Sequence, residues 1–376
     1  MLALVNAALT PAAADALARE QSWQLRRVDL VADAVAAMTP AERESVRVLI
    51  VEAEPVGAAL LGQLSGLQLI ACLRGDPVNV DVAAATGRGA LVVHAPGRNA
   101  EAVADFTLGL CLAAARSIAI THHGIVSGAL TSSEPSAGPD EAGAAGDLSA
   151  AGTAPGDVIW RPADPAAPIP YQVYKGRELS TLTVGVVGFG TIGQAVARRF
   201  TGLVHEVHVA DPAVPAERIK DRGLIPTDLP DLLPIADVIS LHARSAAVVI
   251  GRRELAVMKP GAILINTARA TVLDYDALRE ALDSGHLGAA ALDVFPQEPI
   301  PSGSPLLTQR NLTMTPHLAG ATAQVRDWQS EILLAAIRGI YTAGRDWDDL
   351  PVRNPELQAA WTGRHAAPGP VRKETP

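Results

Sequence analysis

The sequence predicts an α/β protein in which helices cover both faces of parallel β-sheets. Apolar residues make up 48 % of the 376 residues and aromatic residues only 3 %, so Ala and Val must build most of the interior. Short β-rich apolar runs alternate with Ala/Leu-rich helical segments, which is typical of parallel strands buried on both faces. Six such runs follow residue 182, and this number predicts a doubly wound sheet.

The N-terminal third predicts a small α/β layer domain over residues 1–96. Its strands are expected at 46–51, 67–72 and 90–94, with helices at 55–64 and 80–85 between them. One long helix is then predicted over 99–120. Its apolar residues recur at three- and four-residue steps, as in Val103, Phe106, Leu110 and Ala114.

Residues 127–170 predict a flexible acidic insert. The segment is rich in Ala, Gly, Pro and Ser, and no Lys or Arg occurs between residues 117 and 160. Such a composition buries too little apolar surface to order itself. A passive insertion is favoured, and a docking function stays open.

The βα alternation resumes after the insert. The predicted strands lie at 183–187, 207–210, 238–241, 262–265, 289–292 and 312–314. The predicted helices lie at 192–201, 252–258, 274–284 and 322–343. From residue 350 onward Pro, Asn, Gly and charged residues dominate, so residues 351–376 are expected to form a disordered tail.

Charge and cysteine content exclude several classes of function. The net charge is −9 and no basic stretch is longer than a pair, which disfavours a nucleic-acid surface. No segment is typical of a membrane span, and the N-terminus lacks the positive region of a secretory signal. Cys72 and Cys111 lie singly in apolar runs, so neither a disulfide scaffold nor a structural metal site is expected. A cytoplasmic protein fits best.

A Gly-x-Gly-x-x-Gly motif at Gly188, Gly190 and Gly193 lies between a predicted strand and a predicted helix. In this context the motif predicts a dinucleotide site, since the helix N-terminus offers free N–H groups to a pyrophosphate. Asp211 ends the next predicted strand and can accept hydrogen bonds from both ribose hydroxyls. No Arg or Lys follows it until Arg218, so NAD is favoured over NADP. A strand–turn–helix that binds nothing is the alternative.

Arg269, Glu298 and His317 each follow a predicted strand of the same sheet, at the edge where ligands bind in such folds. Arg can hold a 2-keto carboxylate by a two-pronged contact. His can give or take the hydroxyl proton, and a neighbouring carboxylate stabilises the imidazolium. Together with a nicotinamide cofactor, these three residues predict hydride-transfer chemistry.

The chain resembles the D-isomer-specific 2-hydroxyacid dehydrogenases from about residue 46 to about residue 344. Many motifs occur in the order that the family shows. They include Arg74-Gly75, Ala95-Pro-Gly-Arg-Asn99, Gly188 to Gly193, Asp211-Pro212, Ser240-Leu-His242, Asn266-Thr-Ala-Arg269, Ala291-Leu-Asp-Val-Phe295 with Glu298-Pro299, and Thr315-Pro-His-Leu318.

The resemblance implies a discontinuous architecture. A Rossmann-type doubly wound parallel sheet over 97–319 would be inserted into a smaller flavodoxin-like α/β substrate domain made of 1–96 and 320–350. The helix over 99–120 would be the hinge and dimer helix of the family. A homodimer is therefore expected.

The resemblance also implies roles for single residues. Arg269 would bind substrate, and Glu298 would pair with His317, the acid/base. The backbone at Arg74-Gly75 would hold the substrate carboxylate, and Asp293 would contact the nicotinamide carboxamide. Further cofactor contacts are expected at Thr191, Ile192, Thr267, Ala268, His317 and Gly320.

Two departures from the family pattern concern the site. Ala270 stands where most members have Gly, so its Cβ is expected to narrow the site. The loop after Arg244 is a few residues shorter, with Ala246 where Thr is usual, so cofactor affinity is expected to differ.

The expected activity is NAD-dependent interconversion of a D-2-hydroxy acid and its 2-keto acid, with substrates of the phosphoglycerate, glycerate or glyoxylate type. The alternative is a non-catalytic NAD(H)-sensing interaction protein that resembles the family's corepressors.

Overall fold

The computed structural model describes residues 1–130, 169–342, 347, 350–359 and 361. Most of the predicted acidic insert, and residues 362–376 of the predicted tail, lie outside the described residues. Internal contacts divide the chain into two units. Unit 1 comprises Met1–Ala102 and Gly320–Pro376, and unit 2 comprises Val103–Ala319. The first boundary between the units follows Ala102, inside the helix Ala100–Ala115. The domain bounds expected from the resemblance stay a prediction.

The strands of the described residues are short and parallel. They are β1 Leu2–Asn6, β2 Gln24–Arg27, β3 Val46–Val51, β4 Leu69–Cys72, β5 Leu91–His94, β6 Thr183–Val187, β7 Glu206–Ala210, β8 Ile225–Pro226, β9 Val238–Leu241, β10 Ala262–Asn266, β11 Leu287–Leu292 and β12 Leu312–Met314.

Helices connect most of these strands. They are α1 Pro11–Glu20, α2 Val31–Ala36, α3 Pro40–Ser45, α4 Ala58–Gly62, α5 Val82–Gly87, α6 Ala100–Ala115, α7 Ile118–Val126, α8 Pro170–Val173, α9 Thr191–Phe200, α10 Ala216–Lys220, α11 Leu229–Leu232, α12 Arg252–Val257, α13 Tyr275–Asp283 and α14 Val325–Ile340. Shorter 3-10 turns occur at Leu179–Thr181, Ala270–Val272, Pro305–Thr308 and Pro355–Leu357.

Unit 1 contains a five-stranded parallel sheet in the order β2-β1-β3-β4-β5. This is the strand order of flavodoxin-like folds. Successive residues of β3 point to opposite faces, so that Ile50 packs with α1 and α14 residues and Leu49 packs with α2 and α4 residues. The predicted C-terminal helix thus packs on the N-terminal segment, as expected. β1, which lies inside this sheet, and β2 at its edge were not predicted from the sequence.

The prediction of a disordered tail from residue 351 is wrong for residues 351–357. Val352 forms an antiparallel bridge with Val93 of β5. The buried side chain of Asn354 accepts a 2.9 Å hydrogen bond from the Val92 N–H group. β5 is an edge strand whose backbone groups need partners, and this segment supplies them.

Unit 2 contains a seven-stranded parallel sheet in the order β12-β11-β10-β9-β6-β7-β8. The first six strands of the unit follow the order of a Rossmann-type doubly wound sheet, with one strand added at an edge. The strand order reverses between β6 and β9, which is where such sheets bind ligands at the carboxyl ends of their strands. The fold class expected from the sequence is confirmed.

The prediction of a single helix over 99–120 is wrong. α6 and α7 are bent by 67° relative to each other, and Ser117 between them has a left-handed backbone with φ of 54°. The Ala115 carbonyl accepts a 3.1 Å hydrogen bond from the Arg177 N–H group, which comes from a distant part of the chain. The apolar pattern of residues 99–120 carries no information about such a tertiary contact.

Among the described residues, no single helix is long and apolar enough to cross a membrane. In that part of the chain, only α6 and α7 together, as a bent pair, have the length and apolar composition that a membrane span needs.

Candidate active site

The glycine-rich loop follows β6, at the point where the strand order reverses. Gly188 has φ of +95°, and a Cβ there would lie 2.5 Å from the Ala243 backbone nitrogen. A Cβ at Gly193 would lie 1.9 Å from the Gly188 carbonyl oxygen. Both positions therefore require glycine, which allows the turn and brings α9 close to β6.

The space beside Gly190 is open. No heavy atom lies within 4 Å of the place where its Cβ would stand. α9 begins directly after it, with Thr191 and Ile192 in the first turn. The free N–H groups and the dipole of this helix end favour an anion, so the loop fits the pyrophosphate of a dinucleotide.

Asp211 follows β7 and faces the same loop. Its Oδ2 accepts a 2.6 Å hydrogen bond from the Phe189 N–H group, and its Oδ1 accepts a 2.9 Å bond from the Ala213 N–H group. Each carboxylate oxygen can accept a second hydrogen bond. The fixed carboxylate therefore fits the ribose hydroxyls of a dinucleotide.

His242 belongs to a family motif but received no role from the sequence, and the structure places it at the same loop. Its main chain lies against Gly188. The ring Nε2 contacts the Ser240 hydroxyl at 2.7 Å, whereas Nδ1 is buried with no partner among the described residues. Burial lowers the pKa of His242 to about 3, so the ring is neutral. An unpartnered buried nitrogen here is consistent with a bound ligand.

His317 and Glu298 form a hydrogen-bonded pair in unit 2. The Nδ1 atom of His317 lies 2.7 Å from Oε2 of Glu298, and the His317 side chain is half exposed. Oε1 of Glu298 accepts a 2.9 Å hydrogen bond from the Phe295 N–H group. Partial burial raises the pKa of Glu298, but these two hydrogen bonds and the charges of His317 and Arg269 outweigh it. The net pKa lies below its usual value of 4.5, so the carboxylate is ionised at neutral pH.

The loop that carries His317 is held by Asp293. His317 has φ of 55°, the left-handed region that few non-glycine residues adopt. The fully buried Asp293 carboxylate accepts bonds of 2.6, 2.8 and 2.8 Å from the Thr315 hydroxyl and from the Leu318 and Ala319 N–H groups. Most of its acceptor capacity is used within the protein. The role expected from the resemblance, a contact with nicotinamide, stays a prediction.

Arg269 follows β10, and its side chain is exposed. The backbone is extended, and Nη1 donates a 2.7 Å hydrogen bond to the Ala268 carbonyl. The positive charge of Arg269 is one of the influences that lower the pKa of Glu298. Ala270 begins a 3-10 turn and has no positive φ, so its backbone does not require the glycine of other members.

Two contacts fix the neighbourhood of Arg269. The hydroxyl of Thr267 lies 3.0 Å from that of Thr107, and both are buried. The Thr271 hydroxyl donates a 2.9 Å hydrogen bond to the Ser245 carbonyl in the shortened loop. The shortened loop is therefore ordered and is tied to the segment after Arg269.

The remaining predicted contacts lie in unit 1. Arg74 and Gly75 follow β4, and Gly75 presents its carbonyl to Nδ1 of His94 at 3.0 Å. Gly320 lies against the side-chain amide of Asn99, which would have to move if this residue carried a Cβ. The described residues contain no group of three or more His, Cys, Asp or Glu side chains that could hold a metal ion.

Comparisons with known proteins point to one family. Residues 167–319 match the family model described as "D-isomer specific 2-hydroxyacid dehydrogenase, NAD binding domain". The chain is 36 % identical over 287 residues to D-3-phosphoglycerate dehydrogenase of Mycobacterium leprae, covering 76 % of this chain and 47 % of that protein. It is 32 % identical over 294 residues to glyoxylate reductase of Thermococcus litoralis, covering 77 % and 79 % of the two chains.

Among solved structures, a protein of Thermus thermophilus superposes with a TM-score of 0.64 at 31 % identity. The match covers 93 % of this chain and 98 % of that one. The chain spans about half the length of the phosphoglycerate dehydrogenases that it matches. It belongs to the D-isomer specific 2-hydroxyacid dehydrogenase family, and residues 167–319 form its NAD-binding domain.

Proposed function

We propose that the protein is an NAD-dependent dehydrogenase that interconverts a D-2-hydroxy acid and its 2-keto acid. The observation that carries this proposal is the 2.7 Å contact between Nδ1 of His317 and Oε2 of Glu298, whose pKa the charge of Arg269 helps to lower. All three side chains belong to the unit that contains the NAD-binding domain. A proton donor and a carboxylate-binding cation are the two groups that this reaction requires besides the cofactor.

Each member of the trio has one task in this proposal. NADH, when bound, supplies the hydride for the carbonyl carbon. Nδ1 of His317 is committed to Glu298, so Nε2 is the ring nitrogen that donates a proton to the carbonyl oxygen. Glu298 stabilises the protonated ring and fixes its orientation. Arg269 binds the substrate carboxylate through its exposed guanidinium and polarises the adjacent carbonyl.

The proposed substrates are small 2-keto acids and their D-2-hydroxy acids. This class is supported by the names of the relatives, D-3-phosphoglycerate dehydrogenase and glyoxylate reductase. In unit 1 we propose Arg74 and Gly75 as further contacts for the substrate carboxylate. The cofactor contacts are proposed at the loop of Gly188, Gly190 and Gly193 and at Asp211, with Thr191, Ile192, Thr267, Ala268, Asp293 and Gly320 as additional residues.

We also propose that the protein acts as a homodimer in the cytoplasm. α7 exposes Ile118, Ile125 and Val126, and α8 exposes Tyr171 and Val173. Exposed apolar side chains on two helices of the same unit support an interface with a second copy of the chain. Light scattering after size-exclusion chromatography checks this state, and Val126→Lys should shift the mass toward the monomer. A wild-type mass equal to one chain contradicts the proposal.

The decisive experiment measures kcat/KM for glyoxylate, hydroxypyruvate and phosphohydroxypyruvate with NADH. Turnover of at least one acid to its D-product, lost in His317→Ala, supports the proposal. A protein that binds NADH but reduces none of the three acids would instead favour the non-catalytic, NAD(H)-sensing alternative.

A further inference from the structure

Asn266 lies under the turn that carries Arg269. It is the last residue of β10 and is fully buried. Its Oδ1 accepts a 3.0 Å hydrogen bond from the Ala268 N–H group, and its Nδ2 donates a 3.0 Å hydrogen bond to the Arg269 carbonyl. One carboxamide therefore provides the hydrogen-bond partner for both the Ala268 N–H group and the Arg269 carbonyl. Its fork of one acceptor and one donor fits this task, which a carboxylate or a hydroxyl performs only in part.

Asn266 is itself held from two sides. Its own carbonyl accepts a 3.0 Å hydrogen bond from the Asp293 N–H group of the neighbouring strand segment. Its side chain is bonded to Ala268 and Arg269, and its main chain is bonded to Asp293, so the residue is fixed at both ends.

We propose that Asn266 is a positioning residue that sets the backbone of Arg269, and thereby the direction of its guanidinium, for binding the substrate carboxylate. Arg269 is exposed, and its guanidinium donates a hydrogen bond to the adjacent Ala268 carbonyl. The direction of so long a side chain depends on the backbone from which it projects. A displacement of about 1 Å at the reacting groups can cost about a hundredfold in rate, so a fixed turn matters for turnover.

The proposal rests on the proposed function, since it concerns the substrate contact of Arg269. It predicts that Asn266 acts through Arg269 and not through the acid/base pair or the NAD site. Replacing Asn266 should therefore raise the KM for the keto acid more than it lowers kcat. The dissociation constant of NADH should change much less than that of the keto acid, since only one of the proposed cofactor contacts, Ala268, is bonded to Asn266. The pH profile of kcat/KM should stay at its wild-type position.

The test is a double-mutant cycle of Asn266→Ala and Arg269→Ala, with Asn266→Asp as a second variant that keeps the Ala268 bond and loses the donor to Arg269. Two quantities are measured: kcat/KM for the best keto acid, and the dissociation constant of oxamate, an unreactive analogue, from the enzyme with NADH. We expect Asn266→Ala to lower kcat/KM and to raise the dissociation constant of oxamate, each by roughly tenfold to a hundredfold. In the Arg269→Ala background the same change should alter them by no more than about twofold.

Three results would overturn the inference. These are wild-type affinity for oxamate in both Asn266 variants, an undiminished effect of Asn266→Ala in the Arg269→Ala background, and a loss of NADH binding in Asn266→Ala. The last result would mean that the residue supports the domain as a whole. If oxamate binding follows the cycle but no keto acid is reduced, the proposed function fails while the positioning role of Asn266 stands.

Discussion

Asp293 holds the backbone of His317 in a left-handed conformation without touching its ring. The carboxylate accepts hydrogen bonds from the Thr315 hydroxyl and from the Leu318 and Ala319 N–H groups, on both sides of His317. Because φ of His317 is 55°, the loop would relax if these bonds were lost. The direction of the imidazole therefore depends on a carboxylate one strand away.

Asp293→Asn should destabilise the protein and lower kcat together. The amide nitrogen would face N–H donors, leaving at least one buried donor without an acceptor at a cost of about 1–3 kcal/mol. Urea unfolding measures the stability, and steady-state kinetics measures kcat. Thr315→Val removes a single donor and should have the smaller effect on both. Equal stability and turnover in Asp293→Asn and wild type would show that the loop keeps its conformation without the charge of Asp293.

His317→Ala should remove most of the turnover. Loss of a general acid/base typically costs on the order of 10²–10⁴ in rate. NADH binding, measured by its fluorescence, should change little because phosphate and ribose contacts lie elsewhere. His205→Ala serves as the control, since His205 is exposed and precedes β7 in the same unit. A His317→Ala enzyme with near-normal kcat would remove His317 as the proton donor.

Glu298→Gln should shift the pH dependence of the reaction. The pKa of Glu298 lies below 4.5, so its negative charge is present throughout the neutral range and is lost only as the pH falls through that lowered value. Without this charge the protonated ring of His317 loses the negative partner that lies 2.7 Å from its Nδ1. The basic limb of kcat/KM for keto-acid reduction should therefore move to lower pH.

The control for this shift is Glu280→Gln. Glu280 is an exposed glutamate that pairs with Arg252 in the same unit, so its loss should leave the profile unmoved. Superimposable profiles for wild type and Glu298→Gln would contradict the pairing of Glu298 with His317.

NADH should be preferred over NADPH because of Asp211. Its carboxylate is fixed by the Phe189 and Ala213 N–H groups and would repel a 2′-phosphate. The ratio of kcat/KM for the two cofactors measures the preference. Asp211→Asn keeps the shape of the side chain and removes its charge, so it should bring the NADH/NADPH ratio closer to one. It should disturb the glycine-rich loop less than Asp211→Ala does, because a side-chain oxygen remains to accept a hydrogen bond from the Phe189 N–H group. Equal use of both cofactors by the wild type would disprove this role.

Several features of the site were predictable from the sequence because local patterns encode them. Glycines at 188 and 193 follow a strand and precede a helix, and each meets backbone within 2.5 Å of its missing Cβ. His317 and Glu298 follow neighbouring strands, and the carboxyl ends of parallel strands meet at one edge. The task of Asn266 and Asp293 in holding nearby turns was not predictable, since it depends on which backbone groups need a side-chain partner.

The sequence by itself determined the α/β class and most strands of both sheets, because burial on both faces imposes apolar runs. It also singled out His317 and Glu298, which the structure brings within hydrogen-bonding distance. Only the tertiary structure decided where α6 breaks, why Val352 and Asn354 are ordered, and how Asp293 constrains His317. Each of these depends on a hydrogen bond between segments far apart in the chain. Such bonds arise when a buried backbone group must find a partner, a requirement that no local pattern of residues expresses.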